Sequence, residues 1–283
     1  MRSLIDRARS LFSAGAEPTL PNPETRVDFF VIGAQKAGTT ALYSFLARHP
    51  RLQMSEAKEP HFFDRERIDW RRPDYHGLHT QFDWDAADVL RGEATPIYIY
   101  WPEALSRLAA YRPDAKLILG LRHPALRAYS HWRMESGRGD EEMSFEDAIS
   151  LAGRKRVEAR GQRGLRVHSY VERGFYGAQI KALLTLFPRE ALYVFRTDDL
   201  WLRPGAVLRD IEDFLGVEPL LAADAPAGEY IVPLQSATVG AMPAAARAAL
   251  DALYADDLTE AERLTGLDLS DWRDPAYAEP MKG

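Results

Sequence analysis

The stretch FFVIGAQKAGTTALY, residues 29–43, decides the fold of this chain. Phe29 to Ile32 form an apolar, branched-rich run, which predicts a buried strand. Gly33 to Gly38 turn the chain, and Thr39 to Leu46 continue with the apolar spacing of a helix. Free backbone N–H groups and the positive end of the helix converge at such a turn. The stretch therefore predicts a strand, a glycine loop and a helix that together cradle an anion.

The side chains of this loop set it apart from the usual nucleotide-hydrolase loop. That loop has Gly, four residues, and then Gly-Lys-Ser/Thr. Gly33 and Gly38 keep the spacing, but Thr39 stands where the lysine belongs, and the lysine comes earlier, at Lys36. The spacing suggests a terminal anionic group bound without the usual magnesium arrangement, and we expect no metal site. The residues expected to contact the anion are Gln35, Lys36, Ala37, Gly38, Thr39 and Thr40.

A second cluster, LRHPALRAYSHW, covers residues 121–132. Arg122 follows the apolar run KLILGL (116–121), which predicts a buried strand, and Pro124 suits the first turn of a helix. Ser130 lies nearly two turns along that helix. A guanidinium at a strand end and a hydroxyl on the following helix can grip one phosphate between them. The cluster therefore predicts a second anion site.

A third cluster, KEPHFFD (58–64), completes a resemblance to the sulfotransferases that use 3′-phosphoadenylyl sulfate (PAPS). G-x-x-K-x-G-T-T after a strand is similar to their P-loop-like 5′-phosphosulfate loop. Arg-x-Pro with a serine eight residues after the arginine resembles their 3′-phosphate site. KEPHFF looks like the segment that supplies the catalytic base in the heparan-sulfate or carbohydrate type of this family. The chain resembles that type most closely and looks like a bacterial sulfotransferase-domain protein.

The resemblance implies a role for several residues. PAPS would be the donor and adenosine 3′,5′-bisphosphate (PAP) the product, with Glu59 as the base and Lys36 neutralising charge on the leaving group. A base is needed because an alcohol is a poor nucleophile at neutral pH. His61 is the alternative base, or else a supporting histidine beside the phenylalanines. Tyr176, in RGFYGAQI (173–180), would contact the nucleotide or be a core aromatic.

The chain departs from the family pattern in two places. Heparan-type enzymes commonly have a lysine between the glutamate and threonine of the segment that matches GEATPIY (92–98), whereas this chain has Ala94. No Lys or Arg occurs between Arg209 and Arg247, where family members usually carry a basic loop. The arginine-rich segment 153–173 is a candidate lid in its place, or alternatively a solvated helix face.

Composition narrows the possible classes of protein. A net charge of −6 over 283 residues argues against nucleic-acid binding, and the absence of cysteine excludes disulfides and thiol chemistry. No apolar run approaches the roughly 20 residues that span a bilayer. We expect a cytoplasmic protein without a transmembrane segment, whose partner is its acceptor substrate. The oligomeric state stays open, and a homodimer is one of the alternatives.

The expected architecture is a single α/β domain with a doubly wound parallel sheet flanked by helices, the sulfotransferase fold. Residues 1–25 would form an amphipathic helix and a proline-rich linker, 26–273 the domain, and 274–283 a tail. Buried runs alternate with helical patterns, which favours parallel strands. One helix is expected over 144–152, and a helix from Pro243 is expected to bury Leu250, Leu253 and Tyr254.

The sequence favours transfer of a sulfuryl group from PAPS to a hydroxyl or amine, with a carbohydrate as acceptor. The closest alternative is a sulfotransferase that acts on a small metabolite or a lipid alcohol. Two rival classes are an ATP-dependent kinase and a non-catalytic nucleotide-binding protein. A kinase would need magnesium ligands and a lysine just before the hydroxyl of the loop, and that lysine is missing.

Overall fold

A computed structural model describes residues 25–221 and 241–280 of the chain. Five parallel strands form its sheet: β1 (Phe29–Gly33), β2 (Leu52–Met54), β3 (Leu90–Ala94), β4 (Lys116–Leu121) and β5 (Leu192–Arg196). Their order across the sheet is β2-β3-β1-β4-β5. After β1 the chain crosses to β2 on one side of the sheet, and after β4 it continues to β5 on the other side, so the winding reverses between β1 and β4. Ligands of doubly wound sheets bind at the carboxyl ends of the strands beside such a reversal.

Helices cover both faces of the sheet, as expected for a doubly wound fold. On one face, α1 (Thr39–Leu46) and α10 (Pro204–Leu215) pack on Phe29, Val31 and Ile118. The other face carries the larger core. Its helices include α3 (Ala104–Tyr111), α4 (Pro124–Arg138), α8 (Tyr176–Leu183) and α11 (Ala244–Thr265). Alternate residues of β1 point to opposite cores, and all five are buried.

The remaining helices of the described residues are short and lie in the connections. They are α2 (His76–His79), α5 (Phe145–Ile149), α6 (Leu151–Ala159), α7 (Gly161–Val167) and α9 (Thr197–Leu202). Three 3-10 turns cover Glu172–Gly174, Arg189–Ala191 and Ser270–Arg273. No described helix is both long and apolar enough to cross a membrane.

Two local expectations are wrong. The single helix expected over 144–152 is two helices, because Ser150 adopts an extended conformation and its hydroxyl accepts from the N–H of Gly153 to cap α6. In α11, Leu250 and Tyr254 are buried, but Leu253 is 39% exposed. The helix expected near the N-terminus lies outside the described residues, and the domain boundaries stay a prediction.

Candidate active site

A cavity of about 1090 Å³ opens at the carboxyl edge of the sheet, beside the reversal between β1 and β4. The three sequence clusters meet there. The cradle loop after β1, the segment 58–61 after β2 and the start of α4 after β4 all contribute to its wall. Of the residues expected at the site, those that line the cavity are Gln35, Lys36, Gly38, Thr39, Thr40, Glu59, His61, Arg122 and Ser130.

The cradle loop is fixed by hydrogen bonds to the neighbouring strands. The N–H of Ala34 donates to the carbonyl of Gly120 at 2.8 Å, and the hydroxyl of Thr197 donates to the carbonyl of Ala37 at 3.1 Å. Gly38 has φ of 79°, a conformation that favours glycine, and it lies directly before α1. Ala37, which was also expected at the site, is fully buried and does not line the cavity.

The side chain of Lys36 lines the cavity, where its charged neighbours are mostly positive. Its Nζ lies 3.6 Å from the sulfur of Met134, and its backbone has φ of 72°. Burial, followed by the positive charge of Arg122, lowers the pKa of Lys36 to about 8. An ammonium held in a partly desolvated site interacts strongly with an incoming anion, because the local dielectric is low.

Glu59 lies between two cationic neighbours. Its Oε1 accepts from Nζ of Lys58 at 3.0 Å, and its Oε2 lies 3.3 Å from Nε2 of His61. Burial alone would raise the pKa of Glu59, but the contacts with His61 and Lys58 outweigh it and lower that pKa to about 2. The carboxylate is therefore ionised at any physiological pH.

His61 is held from its other side by Asp64. Its Nδ1 lies 2.8 Å from Oδ2 of Asp64, whose carboxylate also accepts from Arg166. Burial would lower the pKa of His61, but its hydrogen bonds to Asp64 and Glu59 raise that pKa to about 9. His61 is consequently an imidazolium at neutral pH and has no free lone pair with which to accept a proton.

Three of these residues share an unusual backbone conformation. Lys36, Glu59 and His61 all have positive φ, at 72°, 60° and 52°. Residues other than glycine rarely adopt this region, and when they do they cluster at functional sites. The strained backbone aims all three side chains at the same cavity.

Arg122 makes three hydrogen bonds in this structure. Its Nε and Nη2 donate to the two carboxylate oxygens of Glu279 at 2.5 and 2.6 Å, and its Nη1 donates to the carbonyl of Lys36 at 3.0 Å. The guanidinium carbon lies 5.4 Å from the ring centroid of Trp201. Ser130 lines the same part of the cavity.

Tyr176 lies behind the cavity wall. It is 1% exposed, and its hydroxyl donates to the carbonyl of Arg122 at 2.7 Å. It does not line the cavity, a position that suits the alternative of a core aromatic residue, and a nucleotide contact stays a prediction. Tyr176 instead fixes the backbone that carries Arg122, which is a structural role for a buried aromatic residue.

The arginine-rich segment 153–173 forms α6, α7 and the turn after them, and most of its charges are paired. Arg154 contacts Glu172, Arg156 contacts Glu141, and Arg163 contacts Asp140. Arg166 is the described arginine of this segment that lines the cavity, where it lies over the ring of Trp101 at 4.4 Å. The segment thus carries ion pairs that fold it onto the domain, with one arginine directed at the site.

Glu93 and Ala94 are buried at the end of β3. The hydroxyl of Thr95 donates to Oε2 of Glu93 at 2.7 Å, and Thr95 in turn lies 3.4 Å from the N–H of His61. Burial raises the pKa of Glu93 to about 8. Glu93 therefore supports the segment that carries His61 and does not reach the cavity.

Several cavity residues carried no signal in the sequence. Glu279 and Trp201 reach the site from segments far along the chain, and only the position of Trp201 shortly after β5 could have indicated it. Asp64, within KEPHFFD, is buried and does not line the cavity, but it binds His61, a contact that no local pattern indicates. Among the described residues, no group of His, Asp and Glu side chains is arranged to hold a metal ion.

A doubly wound parallel sheet with a glycine loop between strand and helix at its winding reversal defines an α/β protein of the P-loop-like class. The sulfotransferase domain family matches residues 26–222 of the chain. The chain belongs to the sulfotransferase family, as the resemblance of its motifs predicted.

Known relatives agree with this membership. The chain is 32% identical over 200 residues to human bifunctional heparan sulfate N-deacetylase/N-sulfotransferase 3, covering 68% of this chain and 22% of the relative. It is 32% identical over 219 residues to mouse heparan sulfate glucosamine 3-O-sulfotransferase 3B1, covering 75% of this chain and 50% of the relative. The chain thus spans between about a fifth and a half of the length of these relatives.

A solved structure extends the likeness to the fold. The sulfotransferase from Alicyclobacillus acidocaldarius superimposes with a TM-score of 0.69 at 28% sequence identity. The match covers 88% of this chain and 99% of that one. The fold described above is therefore similar to that of this sulfotransferase.

Proposed function

We propose that this protein transfers a sulfuryl group from PAPS to a hydroxyl or amine of a carbohydrate acceptor, with Glu59 as the base. The observation that carries the proposal is that the cradle with Lys36 and the carboxylate of Glu59 line one cavity. The relatives named above act, by their names, on heparan sulfate, which supports a carbohydrate acceptor.

The described residues suit a donor that carries two anionic groups. The cradle would hold the 5′-phosphosulfate, and Arg122 with Ser130 would hold the 3′-phosphate. Arg122 already binds a carboxylate through two parallel N–H bonds, so its outer edge is arranged for a planar or tetrahedral anion. ATP has no 3′-phosphate and would leave this second position unused.

PAPS would supply a sulfuryl group whose transfer leaves PAP as product. Lys36 would stabilise the charge that develops on the departing phosphate, because a preorganised cation in a partly desolvated site needs no rearrangement during the reaction. Because the pKa of Lys36 is about 8, most of its amine is still protonated at pH 7. A bound anion would increase the protonated fraction.

Glu59 would take the proton of the attacking hydroxyl or amine. A carboxylate with a pKa near 2 is a weak base, so the acceptor must first displace Lys58 or His61 from it. Losing either cation raises the pKa of Glu59 and increases its affinity for the proton. His61, whose pKa is about 9, would keep Glu59 oriented and could not itself serve as the base at neutral pH.

The experiment compares three variants with radiolabelled PAPS, using de-N-sulfated heparan and a small alcohol as alternative acceptors. Glu59→Gln should lower turnover by at least about 100-fold while PAP affinity stays within about twofold, because general-base removal costs roughly 10²–10⁴ in rate. Lys36→Ala should lose both turnover and PAP affinity. Glu56→Gln, on the same loop but exposed and away from the cavity, is the matched control and should change neither. Retained turnover in Glu59→Gln would remove Glu59 as the base.

A further inference from the structure

The segment 275–280 is docked onto the domain beside the cavity. The ring of Tyr277 stacks on His123 with centroids 5.1 Å apart and planes inclined by 15°. Its hydroxyl donates to Asp198 at 2.8 Å, and its carbonyl accepts from Arg247 at 3.3 Å. These contacts fix the segment directly next to Arg122. Glu279 and Pro280, which follow Tyr277 by two and three positions, form part of the cavity wall.

Glu279 uses the edge of Arg122 that would bind a phosphate. The Nε and Nη2 groups point the same way and both donate to the carboxylate of Glu279, whereas Nη1 is committed to the carbonyl of Lys36 in the cradle loop. The side chains are only 15% and 18% exposed, so solvent screens this pair weakly. One guanidinium edge cannot hold a carboxylate and a phosphate at the same time.

We infer that Glu279 is an internal ligand of the nucleotide site, which occupies the position of the 3′-phosphate and is displaced when PAPS or PAP binds. The inference rests on the proposed function, because it needs a 3′-phosphate at Arg122. It assigns the segment 275–280 a role in nucleotide exchange. By re-forming its bonds to Arg122, Glu279 competes with the 3′-phosphate of the product and promotes its release.

The competition predicts which nucleotides are affected. The apparent affinity of a ligand falls by the fraction of molecules whose site is free to accept it. A nucleotide with a 3′-phosphate must displace Glu279, so its binding is weakened by the internal ligand. A nucleotide without that phosphate leaves Glu279 on Arg122 and avoids this competition.

The test is calorimetric titration of wild type, Glu279→Gln and a control with PAP and with adenosine 5′-monophosphate. Glu279→Gln keeps the size of the side chain and removes its charge, and we expect PAP to bind roughly 3- to 10-fold more tightly, since a partly buried bidentate pair is worth somewhat more than an exposed one. Binding of adenosine 5′-monophosphate should stay unchanged. The control, Asp256→Asn, removes one charge from an exposed position on α11 away from the cavity and should leave both affinities unchanged.

Three other results would overturn the inference in distinguishable ways. Unchanged or weaker PAP binding in Glu279→Gln, with normal binding in wild type, would show that Glu279 only positions Arg122, and would leave the proposed function intact. Equal tightening of both nucleotides would show a general effect of charge rather than competition for the 3′-phosphate. Failure of wild type and Glu279→Gln alike to bind PAP would reject the proposed function and the inference together.

Discussion

At the scale of single residues, the charges of the cavity are set by pairs rather than by isolated groups. Glu59 is kept ionised by Lys58 and His61, and His61 is kept protonated by Glu59 and Asp64. Lys36 is the opposite case, because burial and the nearby Arg122 disfavour its charge. An anion that enters the cradle reverses this balance for Lys36, since an opposite charge at close range favours the ammonium.

This reversal predicts a pH dependence of nucleotide binding. The free protein loses the charge of Lys36 as the pH rises through about 8, so PAP affinity should be constant between pH 6.5 and 7 and weaken above 8. Binding near pH 8 should take up protons, which calorimetry in buffers of different ionisation enthalpy measures directly. Lys36→Arg stays charged over this range and should abolish both effects. PAP affinity that does not change between pH 7 and 9 in wild type would contradict the lowered pKa of Lys36.

At the scale of helices and strands, close packing of β1 against β3 fixes where the cradle begins. Phe29 and Gly92 are paired in register, and the ring of Phe29 covers Gly92 so closely that a Cβ there would lie 2.0 Å from the ring. The ring of Phe29 therefore leaves no room for a side chain at position 92. The packing of β1, the strand that leads into the cradle, depends on this contact.

The contact predicts a loss of stability in Gly92→Ala. Overpacking a well-filled core costs about 1–3 kcal/mol, and we expect the free energy of unfolding to fall by that amount in urea denaturation. Gly137→Ala is the comparison variant, because Gly137 is exposed in α4 and a Cβ there meets no atom within 4 Å. It should stabilise the protein by up to about 1 kcal/mol, since alanine is the better helix former. Equal effects of the two substitutions would contradict the packing described here.

Local patterns in the sequence were sufficient for the features that depend on neighbouring residues. The cradle, Arg122 after β4 and the segment around Glu59 each follow a strand end, so the fold class and the meeting of the three clusters could be predicted. The break at Ser150 could not be predicted because the apolar pattern runs on across this serine, which ends one helix and caps the next. Leu253 was missed because the apolar stripe of α11 includes positions that the domain does not cover.

At the scale of the whole molecule, the site depends on contacts between distant parts of the chain that no local pattern predicts. Arg122 binds Glu279 across 157 positions, and Arg166 reaches Asp64 across 102. For Tyr176 the sequence left a nucleotide contact and a core position open, and the packing of α8 places it behind Arg122. These pairings are fixed by the tertiary fold, which is why sequence patterns alone could not supply them.

The distribution of charge also belongs to this scale. The protein carries a net charge of −6, yet the described cavity wall contains six Lys and Arg side chains and four carboxylates. Three of those carboxylates, Glu59, Glu135 and Glu279, are paired with cavity cations. An acidic protein with a cationic cleft suits a small, multiply charged anionic ligand, because the cleft concentrates the positive potential where that ligand would bind.

The central claim is that this cavity binds a nucleotide with anionic groups on both its 5′ and 3′ positions. Titration of the wild-type protein with PAP and with ATP, each with and without magnesium, tests it most directly. We predict that PAP binds at least about tenfold more tightly than ATP, because only PAP engages both the cradle and Arg122, and that magnesium has no effect on PAP binding. Tighter binding of ATP than of PAP, or PAP binding that requires magnesium, would contradict the claim.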